Sequence, residues 1–169
     1  MSESAMQEPM KSYLYGLPDQ FSQCLQMSFE EVKRYQKPYR NVMVSGLGGS
    51  AIGGDILRAY AYSNANIPVL VNRAYDLPGF VDQNTLFVAV SYSGNTEETL
   101  AAYEAAKKRG AHILAITSGG KLAQSAEGDG NTVISIPGGL SPRAATGYLL
   151  APLLLALQKA GVLSKAEAD

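Results

Sequence analysis

Three hydroxyl side chains, Ser91, Ser93 and Thr96, follow directly after an apolar run. That run, residues 85–90, is β-branched, aromatic and apolar, which is typical of a strand buried on both faces of a parallel sheet. Residues 97–109 are predicted to form a helix. A helix start offers unpaired N–H groups and the positive end of a dipole, so it can bind an anion without a nearby lysine. The pattern therefore predicts a phosphate site.

The same segment also allows a purely structural interpretation. Asn95 is a favourable N-cap, and Glu98 follows at the spacing of a capping box. Capping alone would leave Ser91 and Ser93 without a role. We expect Glu97 and Glu98 to be partners of the helix dipole rather than catalytic acids.

A second glycine-rich turn occurs earlier in the chain, between a predicted strand at 41–45 and a predicted helix. Gly46, Gly48 and Gly49 allow positive φ and let a ligand approach the main chain, and Ser50 adds a hydroxyl. The carboxyl ends of parallel strands meet at one edge of a sheet. We therefore expect the two turns to converge on one ligand.

A dinucleotide site is an alternative for this turn, because residues 46–51 match G-x-G-x-x-A. Such a site requires an acidic residue after the second strand, where the sequence has Asn72 and Arg73 instead. Arg73 is able to bind a 2′-phosphate, so the alternative stays open. A Walker P-loop is excluded because the chain has no Gly-Lys-Ser/Thr.

Composition narrows the class of protein. The 169 residues carry a net charge of −1 with a pI near 5.8, so there is no basic footprint for nucleic acid. The sequence contains no apolar run long enough to span a membrane. The single cysteine, Cys24, lies in a helical pattern, so we expect no catalytic thiol and a cytoplasmic location. Met1–Met10 lacks an apolar core and is interpreted as a tail.

Strands are predicted to alternate with helices, which indicates a doubly wound α/β fold with a five-stranded parallel sheet in the order 2-1-3-4-5. We expect a single domain over 1–169, with a core at about 39–162 preceded by an N-terminal helix. The predicted strands cover 41–45, 67–71, 85–91, 112–117 and 132–136, and the N-terminal helix covers 17–36.

The positions of three further polar residues predict their roles. His112 begins the fourth strand, at the edge opposite the predicted site, so we expect a structural role. Lys121 is expected to be solvated. Arg143 precedes the last helix, where a cation opposes the dipole, and this favours a bound anion. The last helix, from Tyr148 to Leu157, is rich in leucine and predicts self-association as a dimer.

Four motifs in this order resemble the bifunctional phosphoglucose/phosphomannose isomerases of the sugar isomerase (SIS) domain superfamily. They are residues 46–55, 73–78, 91–99 and 142–148. The resemblance implies aldose–ketose isomerisation of glucose 6-phosphate, mannose 6-phosphate and fructose 6-phosphate, without a metal or other cofactor.

The resemblance also implies roles for individual residues. Ser50, Ser91, Ser93 and Thr96 resemble phosphate and substrate ligands, and Gly48 and Gly49 resemble the close-approach turn. Arg143 resembles the cation that stabilises the enediolate.

In these isomerases a second SIS domain carries the glutamate base and a ring-opening histidine. This chain is therefore expected to supply the phosphate-binding half of an isomerase site, paired with a second SIS domain or in a homodimer. Whether it is an enzyme by itself stays open. The alternative is a non-catalytic phosphosugar sensor or assembly domain.

Overall fold

A computed structural model describes residues 15–164, so the predicted tail at Met1–Met10 lies outside the described residues. Its centre is a sheet of five parallel strands in the order β2-β1-β3-β4-β5, which confirms the predicted topology. The strands are β1 (Asn41–Ser45), β2 (Val69–Asn72), β3 (Thr85–Ser91), β4 (His112–Thr117) and β5 (Thr132–Ser135).

Helices cover both faces of this sheet. They are α1 (Leu17–Leu25), α2 (Gly49–Asn64), α3 (Glu97–Lys108), α4 (Gly120–Gly128) and α5 (Thr146–Lys159), with a 3₁₀ helix at Glu30–Tyr35. Alternate strand residues point to opposite faces. Val42 and Val88 pack with α2 and α5 on one face, whereas Met43 and Phe87 pack with α3 and α4 on the other.

The predicted helix at 17–36 is wrong as a continuous element. Helix α1 ends at Leu25, and the chain turns before the 3₁₀ helix begins. The turn lets Tyr35 reach the sheet, where its hydroxyl donates to the carbonyl of Ile113 (2.6 Å) and accepts from the N–H of Thr132 (3.0 Å). These two buried hydrogen bonds outweigh the helical periodicity that includes Leu25, which is 70% exposed.

Most apolar side chains of helix α5 are buried within this chain, whereas Leu154 and Leu155 stay partly exposed. Tyr148, Leu149, Leu150, Leu153 and Leu157 are all buried, because α1 and α2 pack against this helix. The predicted dimer through this helix stays a prediction, with less apolar surface to support it than the sequence suggested. No helix within residues 15–164 is sufficiently long and apolar to cross a membrane.

Candidate functional site

The two predicted turns meet at the carboxyl edge of the sheet. The hydroxyl of Ser50, in the first turn of α2, accepts a hydrogen bond from the N–H of Tyr92 (3.2 Å). A Cβ at Gly46 would lie 2.9 Å from the carbonyl oxygen of Val90, so β3 passes too close for any side chain at that position. Gly48 has φ of +56°, which also favours glycine. Glycines thus bring the turns together.

The hydroxyls of the second turn are partly used to shape it. Ser91 Oγ accepts from the N–H of Gly94 (3.1 Å) and lies 2.9 Å from Thr96 Oγ1. Ser93 Oγ accepts from the N–H of Asn95 (3.2 Å). A hydroxyl is one donor and two acceptors. In each of these bonds to the main chain the oxygen is the acceptor, so the O–H remains able to donate to an anion.

Helix α3 begins beside these hydroxyls. Its first main-chain hydrogen bond runs from the N–H of Leu100 to the carbonyl of Thr96 (3.0 Å), so the preceding N–H groups have no partner within the helix. The capping-box interpretation is wrong, because the N-cap residue is Thr96 and it makes no side-chain cap bond. Hydroxyl groups and free N–H groups therefore share this helix start.

Asn95 instead joins the second turn to a third one, between β4 and α4. Its side-chain oxygen accepts from the N–H of Lys121 (3.1 Å), and its amide donates to the carbonyl of Ser93 (3.1 Å). A Cβ at Gly94 would overlap the carbonyl of Gly119, and Gly94 has φ of +69°. The hydroxyl-rich turn is consequently held from both sides.

The structure also brings the loop that carries Arg143 to this edge. A Cβ at Gly49 would lie 3.0 Å from the carbonyl oxygen of Pro142 and 3.4 Å from the nitrogen of Arg143. Gly49 therefore accommodates this loop, in addition to any approach by a ligand. Arg143 itself lies two residues before the N-cap of α5, is exposed, and belongs to none of the ion pairs found in residues 15–164.

Buried Gln20 of α1 fixes the far end of the same loop. Its amide donates to the carbonyl of Ala144 (2.8 Å), and its side-chain oxygen accepts from the N–H of Gly147 (2.9 Å). A Cβ at Gly147 would lie 2.7 Å from Gln20, so glycine is required there. Gln20 thus satisfies an N–H at the start of α5 that the helix itself cannot satisfy.

Charges around the edge distinguish the possible ligands. Arg73 forms an ion pair with Asp55 of α2, so the cation that a 2′-phosphate would need already has a partner. Glu98 raises the pKa of the exposed Tyr75 phenol, with smaller contributions from desolvation and from Glu97, because a phenolate would be repelled by the carboxylates. The pairing of Arg73 with Asp55 disfavours the dinucleotide alternative.

Other reactive residues lie away from this site. His112 is at the opposite edge, 5.6 Å from the Tyr39 ring between centroids, and burial and Lys37 lower its pKa. Burial raises the pKa of the Cys24 thiol to about 11. Lys121 is exposed. Within residues 15–164, no three His, Cys, Asp or Glu side chains form a group that could hold a metal ion.

Sequence reasoning missed three residues that support the site, namely Gln20, Ser118 and the side chain of Tyr92. Ser118 Oγ donates to the Tyr92 carbonyl (2.6 Å). The Tyr92 hydroxyl donates to the carbonyl of Pro137 (3.0 Å) and accepts from the N–H of Leu140 (2.9 Å). Of these three residues, only Tyr92 could have been singled out from the sequence, because it lies between Ser91 and Ser93.

Comparison with known proteins identifies the family of this chain. The family model described as "SIS domain" matches residues 37–137, and the chain belongs to that family. Among curated relatives, the bifunctional phosphoglucose/phosphomannose isomerase of Caldicellulosiruptor bescii is 50% identical over 151 residues, which are 89% of this chain and 44% of that enzyme. The enzyme of the same name from Thermoplasma acidophilum is 46% identical, over 79% of this chain and 44% of its own length.

A solved structure supports the fold. Tagatose-6-phosphate ketose/aldose isomerase from Escherichia coli superimposes with a TM-score of 0.74 at 18% identity, over 97% of this chain and 51% of that one. The chain therefore spans about half the length of the proteins it resembles.

Proposed function

We propose that this chain is the phosphosugar-binding half of an aldose–ketose isomerase that acts on glucose 6-phosphate, mannose 6-phosphate and fructose 6-phosphate. The observation that carries the proposal is the contact between Ser50 Oγ and the N–H of Tyr92 (3.2 Å), which joins the two glycine-containing turns. The similarity to the phosphoglucose/phosphomannose isomerases, at up to 50% identity, supports the choice of substrates.

The proposed phosphate ligands are neutral groups. The O–H groups of Ser50, Ser93 and of the Ser91–Thr96 pair would donate to the phosphate oxygens, together with the free N–H groups at the start of α3. A Cβ at Gly48 would meet nothing within 4 Å, so the main chain of this turn is open to a ligand at that residue. The dipole of α3 favours the negative charge of the phosphate and offsets the nearby glutamates.

Arg143 is proposed to act on the other end of the sugar. Isomerisation removes a proton from the carbon beside the carbonyl, and negative charge then develops on oxygen. A guanidinium that stays protonated at all working pH values can stabilise this enediolate through two parallel hydrogen bonds. Because Arg143 belongs to no ion pair within residues 15–164, its charge is free for this role.

The base that removes the proton from the sugar has to come from outside the described residues of this chain. Glu97 and Glu98 occupy the first turn of α3, and His112 lies at the opposite edge of the sheet. The resemblance places a glutamate base and a histidine in a second SIS domain. We therefore propose that such a domain, or a second copy of this chain, completes the site.

An apolar surface on this side of the molecule supports the proposed pairing. Ile52, Ile56 and Tyr60 recur every four residues along α2 and are 38–46% exposed. They continue into a groove of about 260 Å³ lined by Tyr60, Leu154, Leu155 and Leu163. Helix α2 starts at the site, so a domain that covered this surface would also cover the substrate.

Calorimetric titration with glucose 6-phosphate tests the binding site. Replacing both Ser91 and Ser93 by alanine should weaken binding by about 1 to 3 kcal/mol, the scale of hydrogen bonds to a charged group. Ser22→Ala, an exposed serine on α1, is the matched control and should bind normally. Equal affinity of the double variant and the wild type would exclude these hydroxyls as ligands.

A coupled assay for fructose 6-phosphate tests the second part of the proposal. The chain alone should give negligible turnover, because a positioned base typically contributes about 10²- to 10⁴-fold. Isomerisation should appear when the separately produced second domain of a relative is added. Robust turnover by this chain alone, abolished by Glu97→Gln or Glu98→Gln, would locate the base within it and contradict the proposal. A sensor domain would gain no activity in either case.

A further inference from the structure

The main chain of Tyr92 connects three turns of the site. Its N–H donates to Ser50 Oγ (3.2 Å), from the turn after β1. Its carbonyl accepts from the N–H (3.1 Å) and the hydroxyl (2.6 Å) of Ser118, from the turn after β4. Tyr92 itself lies between the two serines of the hydroxyl-rich turn. Its backbone is therefore fixed relative to the proposed phosphate.

The side chain of Tyr92 reaches the fourth loop, between β5 and α5. The buried phenol donates to the carbonyl of Pro137 (3.0 Å) and accepts from the N–H of Leu140 (2.9 Å). The two glycines between these residues include Gly139, with φ of +89°, so the intervening backbone has little intrinsic stiffness. The Tyr92 hydroxyl thus joins the two ends of a flexible segment, 137–140, which lies three residues before Arg143.

Beyond Leu140 the loop is held by a main-chain hydrogen bond, by packing on Gly49 and by Gln20. The N–H of Ala144 donates to the carbonyl of Ser141 (2.9 Å), and Pro142 rests on Gly49. The side chain of Arg143 forms no ion pair within the described part of the chain. The backbone of this loop therefore sets the point from which the Arg143 side chain extends.

We propose that Tyr92 is a positioning residue, whose phenol holds the loop 137–143 so that Arg143 faces the ligand bound at Ser91 and Ser93. The proposal rests on the proposed function of the site. In it Tyr92 contacts no substrate, and its effect passes entirely through Arg143. Loss of the hydroxyl should leave the phosphate ligands in place while the cation becomes mobile.

The test is a double-mutant cycle on affinity. Wild type, Tyr92→Phe, Arg143→Gln and the double variant are titrated with inorganic phosphate and with 6-phosphogluconate, whose carboxylate carries negative charge at the far end of the sugar. Tyr92→Phe should bind phosphate within about twofold of wild type and 6-phosphogluconate about five- to tenfold more weakly. When Arg143 is already replaced by glutamine, the additional Tyr92→Phe substitution should not change the affinity for either ligand.

Tyr103→Phe is the matched control. Tyr103 is also buried, and its hydroxyl also makes two hydrogen bonds, to Asp129 (2.8 Å) and from Asn131 (3.0 Å), but away from the loop 137–143. It should bind both ligands as the wild type does. Equal losses for both ligands in Tyr92→Phe, a loss that persists without Arg143, or no loss at all would overturn the positioning role.

Amide hydrogen exchange gives a readout that does not need a ligand. In the wild type the Leu140 amide should be protected, and Tyr92→Phe should accelerate its exchange about tenfold or more while the Leu122 amide, bonded to Gly94 (2.9 Å), stays protected. Rapid exchange of Leu140 in the wild type, or unchanged exchange in Tyr92→Phe, would refute the proposal even if the variant folded poorly. If the wild type bound neither ligand, the proposed function would fail, and exchange at Leu140 would still show whether the Tyr92 phenol holds the loop.

Discussion

Replacement of Gln20 by alanine tests how firmly α1 supports the edge that carries Arg143. The side chain is 6% exposed and pairs with two main-chain groups, the carbonyl of Ala144 and the N–H of Gly147. A buried group left without its partner costs about 1 to 3 kcal/mol. Water entering the vacated space would recover part of this cost. We expect Gln20→Ala to lower the free energy of unfolding by about 2 to 4 kcal/mol.

Urea denaturation followed by circular dichroism measures this change, and the melting temperature should fall by about 5 to 12 °C for a chain of this size. Gln23→Ala is the control on the same helix. Gln23 is exposed and accepts one hydrogen bond, from the Tyr148 hydroxyl (2.6 Å), so its loss should cost about 1 kcal/mol or less. A Gln20→Ala variant as stable as Gln23→Ala would refute the reasoning that this amide holds the start of α5.

Two further predictions concern stability. Gly94→Ala should destabilise the fold by more than about 2 kcal/mol in urea denaturation, because a Cβ there overlaps the Gly119 carbonyl at positive φ. Gly128→Ala, with open space and ordinary φ, should change stability by less than about 1 kcal/mol, and equal effects would contradict this. Burial and Lys37 lower the pKa of His112, so stability should be constant above about pH 6.5 and decrease as the pH falls toward the folded-state pKa. His112→Gln should flatten this decrease in denaturation series from pH 7 to 5, and an identical slope would contradict the assignment.

The sheet could be predicted because its signal is local. Strands β3 and β4 begin and end at the predicted residues 85–91 and 112–117, since both are apolar runs buried throughout most of their length. The predicted strand at 67–71 is shifted in the structure to Val69–Asn72, and that at 132–136 ends at Ser135. Both are edge strands with fewer partners to define their ends.

The supports of the site could not be predicted, because each depends on a partner far along the chain. Gln20 reads as a surface residue in a helical pattern, yet it binds Ala144 and Gly147. Asn95 has the sequence signature of an N-cap, but the third turn lies close enough to use its side chain instead. Local propensity is a weak guide where tertiary contacts compete for the same polar group.

The bounds of the family match divide the proposed site into two parts. The match covers residues 37–137, which includes every hydroxyl of the proposed phosphate site. Arg143 and the two residues that fix its helix, Gln20 and Gly147, lie outside it on either side. The proposed phosphate ligands therefore lie within the part of the chain that the family model describes, whereas the residue proposed to act on the rest of the sugar lies outside it.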